Sequence, residues 1–396
     1  MLMNKIPTNR FQISLLIMLV LFSPLAIDIY LPALPLISET FHVKHTYAQG
    51  TITWFLFSMG VGQLFAGPLA DRYGRKIIAI CGVYIYAVSA YMAWLANSIE
   101  LLLTARVVQG LGACTTSVAA FATVRDVFGP EKSGRMISYL NGAICFIPAL
   151  APILGSYLTQ QYGWRSNFSF MAIFAVIVGT LLLIGMKETN PSLEKQKVFK
   201  LERYISVLSN TNFLFHASLC MISMAVILAY VTSAPIVLMD QMGLNMNEFT
   251  FWFGVNAVIN IMAALFAPKL MDYKGTQFAL TVGITTMLIG GTLMLLLPSH
   301  QFAWAFMLPI FMSSVGFALV LGTAAGKALA PFGDKAGTAA ALVGLFQMSG
   351  AGIVVSAVQR LHLDAQYTIA LQMFLIAPAI VVLFSHRGKM WHQRYN

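Results

Sequence analysis

Residues Gly67 to Lys76 read G-P-L-A-D-R-Y-G-R-K, a short polar and basic turn wedged between two long apolar stretches, Thr51 to Ala66 and Ile77 to Ala96. Two apolar segments joined by so few residues must be antiparallel neighbours. Arg72, Arg75 and Lys76 should hold the turn on the cytoplasmic side of a membrane, where basic residues accumulate. Gly67 and Gly74 let the backbones approach and the chain reverse. Asp71 offers a carboxylate to a neighbouring arginine or helix N-terminus.

Working outward from the turn, the rest of the chain has the same character. It is 58% hydrophobic and 10% charged over 396 residues, where an ordinary soluble domain carries about 25% charged residues. Runs long enough for a ~30 Å hydrocarbon core recur along the whole length. They predict an all-α membrane protein with twelve spans at 12–33, 49–69, 77–96, 100–122, 135–158, 166–186, 212–236, 249–268, 277–297, 303–325, 338–360 and 367–386. The first run is too long for a cleaved signal peptide and lacks a small-residue cleavage site.

Basic residues orient the spans. With both termini cytoplasmic, 20 of the 24 Lys and Arg fall inside, only Lys44, Arg165 and Arg360 fall outside, and Arg106 lies within a span. The formal net charge of +10 therefore reads as topological and lipid-facing. No loop long enough to hold RNA or DNA interleaves basic and aromatic residues, so nucleic acid is not an expected partner.

The longest inner loop, Lys187 to Thr211, begins K-E-T-N-P and divides the chain into an N-terminal half (1–186), a cytoplasmic linker (187–211) and a C-terminal half (212–396). A faint repeat supports the division. Phe65, Ala66, Leu69, Asp71 and Gly74 recur as Phe266, Ala267, Leu270, Asp272 and Gly275 at a constant offset of 201 residues, at the equivalent turn between the eighth and ninth spans.

Ionisable residues in lipid are costly and usually functional. Two stand out: Asp28, in F-S-P-L-A-I-D-I-Y-L-P of the first span, and Arg106, in L-T-A-R-V-V-Q-G-L-G of the fourth. At about 1.5 Å per residue, in spans running oppositely, both should sit at similar depth in the periplasmic half, where they could meet or share a water-filled cavity. Asp28 reads either as a helix-end residue or as a protonatable group. Arg106, which keeps its proton, reads as a fixed charge or as a structural donor to backbone carbonyls. Prolines in the fifth span each remove a backbone bond and should kink that helix. Tyr30, Gln63, Gln109, Asn141, Asn256, Asn260 and Gln347 lie at plausible cavity depth; each alone can be an interhelical bond, and together they suggest a mixed pocket. The 22 Met and 28 Phe mostly pack or face lipid, though such walls also suit varied amphiphilic ligands.

Several of these strings resemble one family. The turn is similar to G-x-L-A-D-R-x-G-R-K, which the major facilitator superfamily carries between its second and third helices. R-V-V-Q-G-L-G-A, starting at Arg106, resembles the fourth-helix signature R-x-x-Q-G-x-G-A, whose Arg is associated with proton coupling. N-G-A-I-C-F-I-P-A-L-A-P-I-L-G-S, with Pro148, Pro152 and Gly155, resembles the antiporter signature of the fifth helix, departing from its commonest G-x-x-x-G-P-x-x-G-G form. Together with I-D-I-Y-L-P-A-L-P, R-D-V-F from Arg125, and G-T-A-A-A-L-V-G-L-F-Q, this variant resembles the bicyclomycin/chloramphenicol-resistance (Bcr/CflA) subfamily of bacterial drug:proton antiporters. The resemblance covers essentially the whole chain. It implies two pseudo-symmetric six-helix halves around a central cavity, with binding near the bilayer midplane. It also implies a latch in which Asp71 and Arg75 lie beside the cytoplasmic end of the fourth span, with Gly67, Arg72, Gly74, Arg125 and Asp126 taking part.

Rival chemistry has little support. His42 and His45, near Glu39, have neither a fixed helix nor a further ligand, so no metal site is expected. Cys81, Cys114, Cys145 and Cys220 lie in spans without a C-x-x-C pair. No G-x-x-x-x-G-K-S/T, H-E-x-x-H or G-x-S-x-G occurs. The expected protein is thus no enzyme and uses no cofactor. It is a monomeric, multi-pass protein of the bacterial inner membrane that exports small amphiphilic drug-like compounds by alternating access, driven by the proton gradient, with protons and lipid as its other partners. Proton-linked transport of a sugar or amino-acid derivative, or a receptor without transport, are the alternatives.

Overall fold

A computed structural model describes residues 10–189, 201–298, 301–333 and 335–392. In lipid every backbone N–H and C=O must find its partner within the segment, so apolar runs of this length become helices. Among the described residues, twelve are long and apolar enough to cross a membrane: Phe11–Phe41, His45–Tyr73, Arg75–Trp94, Ile99–Gly129, Tyr139–Tyr162, Arg165–Gly185, Thr211–Gln241, Met246–Lys274, Thr276–Leu296, Ala303–Leu329, Ala336–Gln359 and Ala365–Phe384. They are numbered below as first to twelfth span. Shorter helices cover Leu201–Leu208 and His386–Trp391. Of the expected linker 187–211, residues 190–200, with Lys195, Lys197 and Lys200, lie outside the described residues.

Several spans overrun the ~20 residues a bilayer needs. The first was expected to stop at 33 and continues to Phe41. Pro32 and Pro35 stand at the starts of a 3-10 turn (Leu31–Ala33) and of a new helix (Leu34–Phe41). A missing N–H costs nothing at such positions, so the chain restarts there instead of ending. The fourth and fifth spans run on from one another and are separated by a bend at Gly129, whose φ is 67°. Pro148 and Pro152, expected to kink the fifth span, stand within its helical stretch, and Gly129 is the one residue between Ile99 and Tyr162 with non-helical dihedrals.

The chain divides into two compact units, 1–43 with 50–200, and 44–49 with 201–396. The helix Leu201–Leu208 goes with the second unit. So does the segment opening the second span: His45 Nε2 lies 2.9 Å from Asp240 Oδ2, and Gln49 donates to Thr232 O and accepts from Gln359 Nε2.

Each unit repeats the other's local design. Gly74, between the second and third spans, has φ 99° and ψ 152°; Gly275, between the eighth and ninth, has φ 90° and ψ 165°. L side chains rarely adopt that conformation, which is why glycine survives in both copies. The third and fourth spans approach where Gly82 faces Gly112, and the ninth and tenth where Gly283 faces Gly316. Small residues at such crossings let helix backbones pack closely in lipid.

Candidate functional site

The first unit is organised around an interruption in its first span. The opening helix, Arg10–Asp28, ends at Asp28. Ile29 N still donates to Leu25 O, and the next turn bond outside the helices is Ala33 N to Tyr30 O. Ala26 O, whose helical partner would be the Tyr30 amide, accepts instead from Arg106 at 2.9 Å. An unpaired carbonyl at membrane depth would cost several kcal/mol, about the worth of a hydrogen bond in hydrocarbon. Arg106 thus completes the interrupted helix from the fourth span.

Arg106 is fully buried. Its Nε donates to Thr51 O at 3.2 Å and its other terminal nitrogen to Gln109 Oε1. The guanidinium carbon lies 4.8 Å from the Tyr30 ring centre and 4.4 Å from that of Phe55. Three oxygen acceptors and two ring faces therefore hold the charge, and among the described residues no carboxylate takes part. Tyr30 is fixed in turn by a 2.8 Å bond between its hydroxyl and that of Thr51. The glycine after Gln109 makes the approach possible: a Cβ on Gly110 would lie 2.3 Å from Phe55 O.

Asp28 is 5% exposed. No hydrogen bond or ion pair reaches its carboxylate from the described residues. Of the two expected relations to Arg106, a meeting or a shared cavity, the first takes a different form: Arg106 binds the carbonyl two residues before Asp28 and not its side chain. Gly155 of the fifth span lies against the same interruption, because a Cβ there would fall 1.5 Å from Ile29 O. Pro152 is buried nearby in the sequence and Pro148 is half-buried.

Of the other expected cavity residues, Gln109 belongs to the Arg106 cluster. Asn141 is exposed and Gln63 half-buried. In the second unit, Asn256 is buried and accepts at 2.8 Å from Ser314 Oγ, Asn260 is half-buried, and Gln347 sits in a π-helical turn, Phe346–Gly350, within the eleventh span. Such turns recur at functional sites in helices.

At the Gly67–Lys76 turn, Arg75 reaches both Asp71 and, at 2.9 Å, Asp126 Oδ2. Arg72 stacks on Tyr73 at 5.2 Å, and Arg125 is exposed. Glu188 closes the cluster from the far end of the unit's sequence, accepting from the amides of Arg75 at 2.9 Å and Lys76 at 3.1 Å. A carboxylate on two free amides at a helix N-terminus is favoured by hydrogen bonding and by the helix dipole.

Residues 16–355 match the profile of the Major Facilitator Superfamily. The chain belongs to that superfamily. It is 32% identical over 335 residues, 85% of each chain, to the multidrug resistance protein MdtL of Shigella dysenteriae serotype 1 (strain Sd197), and 31% identical over the same share to MdtL of Escherichia coli (strain K12 / DH10B). The crystal structure of a D-xylose-proton symporter superposes with a TM-score of 0.73 over 93% of this chain and 96% of that one, at 16% identity. At that identity the likeness is one of fold.

Sequence reasoning missed Glu188, Thr51, Phe55 and the Ala26 carbonyl in this facilitator. Glu188 stands second in the quoted K-E-T-N-P, and a lone acid among basic turn residues was the available signal. Thr51 and Phe55 carry no mark in an apolar run. A backbone acceptor has no sequence signature at all, beyond the Pro32 and Pro35 that follow it.

Proposed function

We propose that this facilitator exports small, largely apolar drug-like compounds across the inner membrane of a bacterium in exchange for protons. The observation that carries the reading is the identity to proteins named for multidrug resistance, spread over 85% of both chains. Placement in the Bcr/CflA subfamily rests on the first-, fourth- and fifth-span strings. Both termini lie in the cytoplasm, since that orientation puts most of the basic residues inside. The protein acts as a monomer, without a cofactor, and takes its energy from the proton gradient.

Asp28 carries the proton. Every other acidic residue described within a span lies at or near a span end. Arg106 stays charged and fixed, so its field and hydrogen bonds hold the interruption at which Asp28 stands. Neutral Asp28 suits an apolar, closed surrounding. Opening to water, or arrival of a drug, favours its ionisation and the departure of the proton. The cluster of Asp71, Arg75, Asp126 and Glu188 secures the turn end of the first unit through the cycle.

Everted membrane vesicles test the reading. Adding a range of antibiotics and lipophilic dyes to energised vesicles should release protons from the lumen for those compounds that are exported. Binding without proton movement would indicate a receptor, and compound flux without proton movement a uniporter; either result excludes antiport.

A further inference from the structure

The Arg106 cluster extends outward into the third and sixth spans. Gln109 Oε1 accepts from Arg106, and the other end of the same amide, Nε2, donates at 3.7 Å to the thioether sulfur of Met171 in the sixth span. The hydroxyl of Tyr86, in the third span, lies 3.2 Å from that sulfur and 3.3 Å from Phe22 O, with one proton to serve both acceptors. Phe22 precedes Ala26 by about one helical turn, so both carbonyls stand on one face of the first span. The bonds thus close a ring through Ala26 O, Arg106, Gln109, Met171, Tyr86 and Phe22 O. All four side chains in it are fully buried. Close helix packing sets the ring: a Cβ on Gly112, nearly one turn beyond Gln109, would lie 2.8 Å from Tyr86 N. Phe22 meets the Tyr86 ring edge-on at 4.8 Å between centres, a favoured aromatic arrangement.

Chemistry selects the orientation of the amide. A carboxamide has an acceptor end and a donor end, whereas a guanidinium offers donors alone. Turned over, Gln109 would set its NH2 group against Arg106, and buried donors would face one another. A thioether sulfur accepts and cannot donate. Met171 therefore admits only the orientation in which Oε1 faces the guanidinium. Leucine would fill about the same volume but offers nothing to Nε2, and an unpaired buried donor is costly where no water can reach it.

We propose that Met171 and Tyr86 are positioning residues for Arg106 and act on it through Gln109. The sulfur fixes the amide, the amide fixes the guanidinium, and the guanidinium holds the interruption at which Asp28 stands. The inference rests on the reading of the protein as a drug:proton antiporter coupled at Asp28.

The test measures binding affinity across a pH series, together with proton release, for the full chain purified in detergent. The probe is whichever of ethidium, acriflavine and chloramphenicol releases most protons from the wild type. Met171→Leu, a swap that keeps volume, should fold and bind the probe. It should displace the pH at which affinity levels off by about one unit and slow exchange in vesicles about tenfold, equivalent to one buried hydrogen bond. Met171→Gln, which restores an acceptor, should recover most of the profile. Tyr86→Phe should displace it the same way by less, and it carries the same comparison should Met171→Leu not fold. In a Gln109→Leu background neither substitution should cause a further displacement, because the amide through which they act is gone. A Met171→Leu profile that coincides with the wild type would overturn the proposal. So would an equal displacement with and without Gln109, which would reduce Met171 to packing. No proton release from the wild type with any of the three probes would instead overturn the antiport reading, and this inference with it.

Discussion

A guanidinium offers donors in three directions, and Arg106 uses them on three different partners: Thr51 O in the second span, Ala26 O in the first and Gln109 within its own. Lysine has one nitrogen and cannot span that set. Arg106→Lys should therefore keep the charge but lose most drug:proton exchange in vesicles. Arg106→Ala should lose it and cost roughly 3 kcal/mol of stability, because buried acceptors lose their donors. Near-native exchange by the alanine variant would reduce Arg106 to packing. That Asp28 and Arg106 stand buried inside spans was legible, since a charge inside an apolar run stands out in any hydropathy reading. Their relation was not. Depth along a helix comes from counting residues, but the choice between a side-chain and a backbone partner depends on which carbonyl the first span frees, and that needs the fold.

At the scale of elements, the first span and the fifth meet where neither has room to spare. Gly155→Ala would drive a methyl into Ile29 O, so either the fifth span or the interruption beside Asp28 must move. Gly142, on the same helix, has nothing within 4 Å of an added Cβ. Gly142→Ala should leave transport and thermal stability unchanged, while Gly155→Ala lowers both; equal behaviour of the two variants would deny the contact any role. A second element prediction concerns the terminal helix His386–Trp391. His392, just beyond it, bonds Thr276 Oγ1 at 2.8 Å, and burial, with Coulombic contributions from His216 and Lys327, pushes its pKa down to about 3 from an ordinary ~6.5. The docked ring refuses a proton that the detached one accepts. Docking is thus constant above about pH 6.5 and weakens by about tenfold per pH unit as the pH falls from there towards 3. Histidine-ring NMR should find His392 neutral at pH 5.5 wherever the segment stays docked, and His392→Gln should make docking indifferent to pH. A docked His392 titrating near 6.5 would contradict this. Span positions were largely readable, because length and hydropathy are local. The extension of the first span to Phe41 was not, since a proline pair in an apolar run reads as a stop and here serves as a restart.

For the whole molecule, the decisive question is whether proton and drug exclude one another. The twelve runs, the turn at Gly67–Lys76 and its echo at Gly275 were visible in the sequence, because a duplicated design leaves the same glycine wherever the backbone demands one. Coupling leaves no comparable mark, as it is a difference in affinity between states. If a drug binds only when Asp28 is ionised, linkage requires each ligand to weaken the other by the same factor. Apparent drug affinity in detergent should then rise about tenfold per pH unit on the acid side of the Asp28 titration and level off above it. Drug addition on the acid side should release protons into a weakly buffered solution. Asp28→Asn, which mimics the permanently protonated form, should fold, bind drug only as weakly as the wild type does at acid pH and with no dependence on pH, release no protons, and fail to protect cells from the exported compounds. Cationic drugs should suffer most, since the variant also lacks their counter-charge. Equal proton release from wild type and Asp28→Asn would move the coupling site elsewhere, and Glu39 and Asp126 would be the next carboxylates to replace.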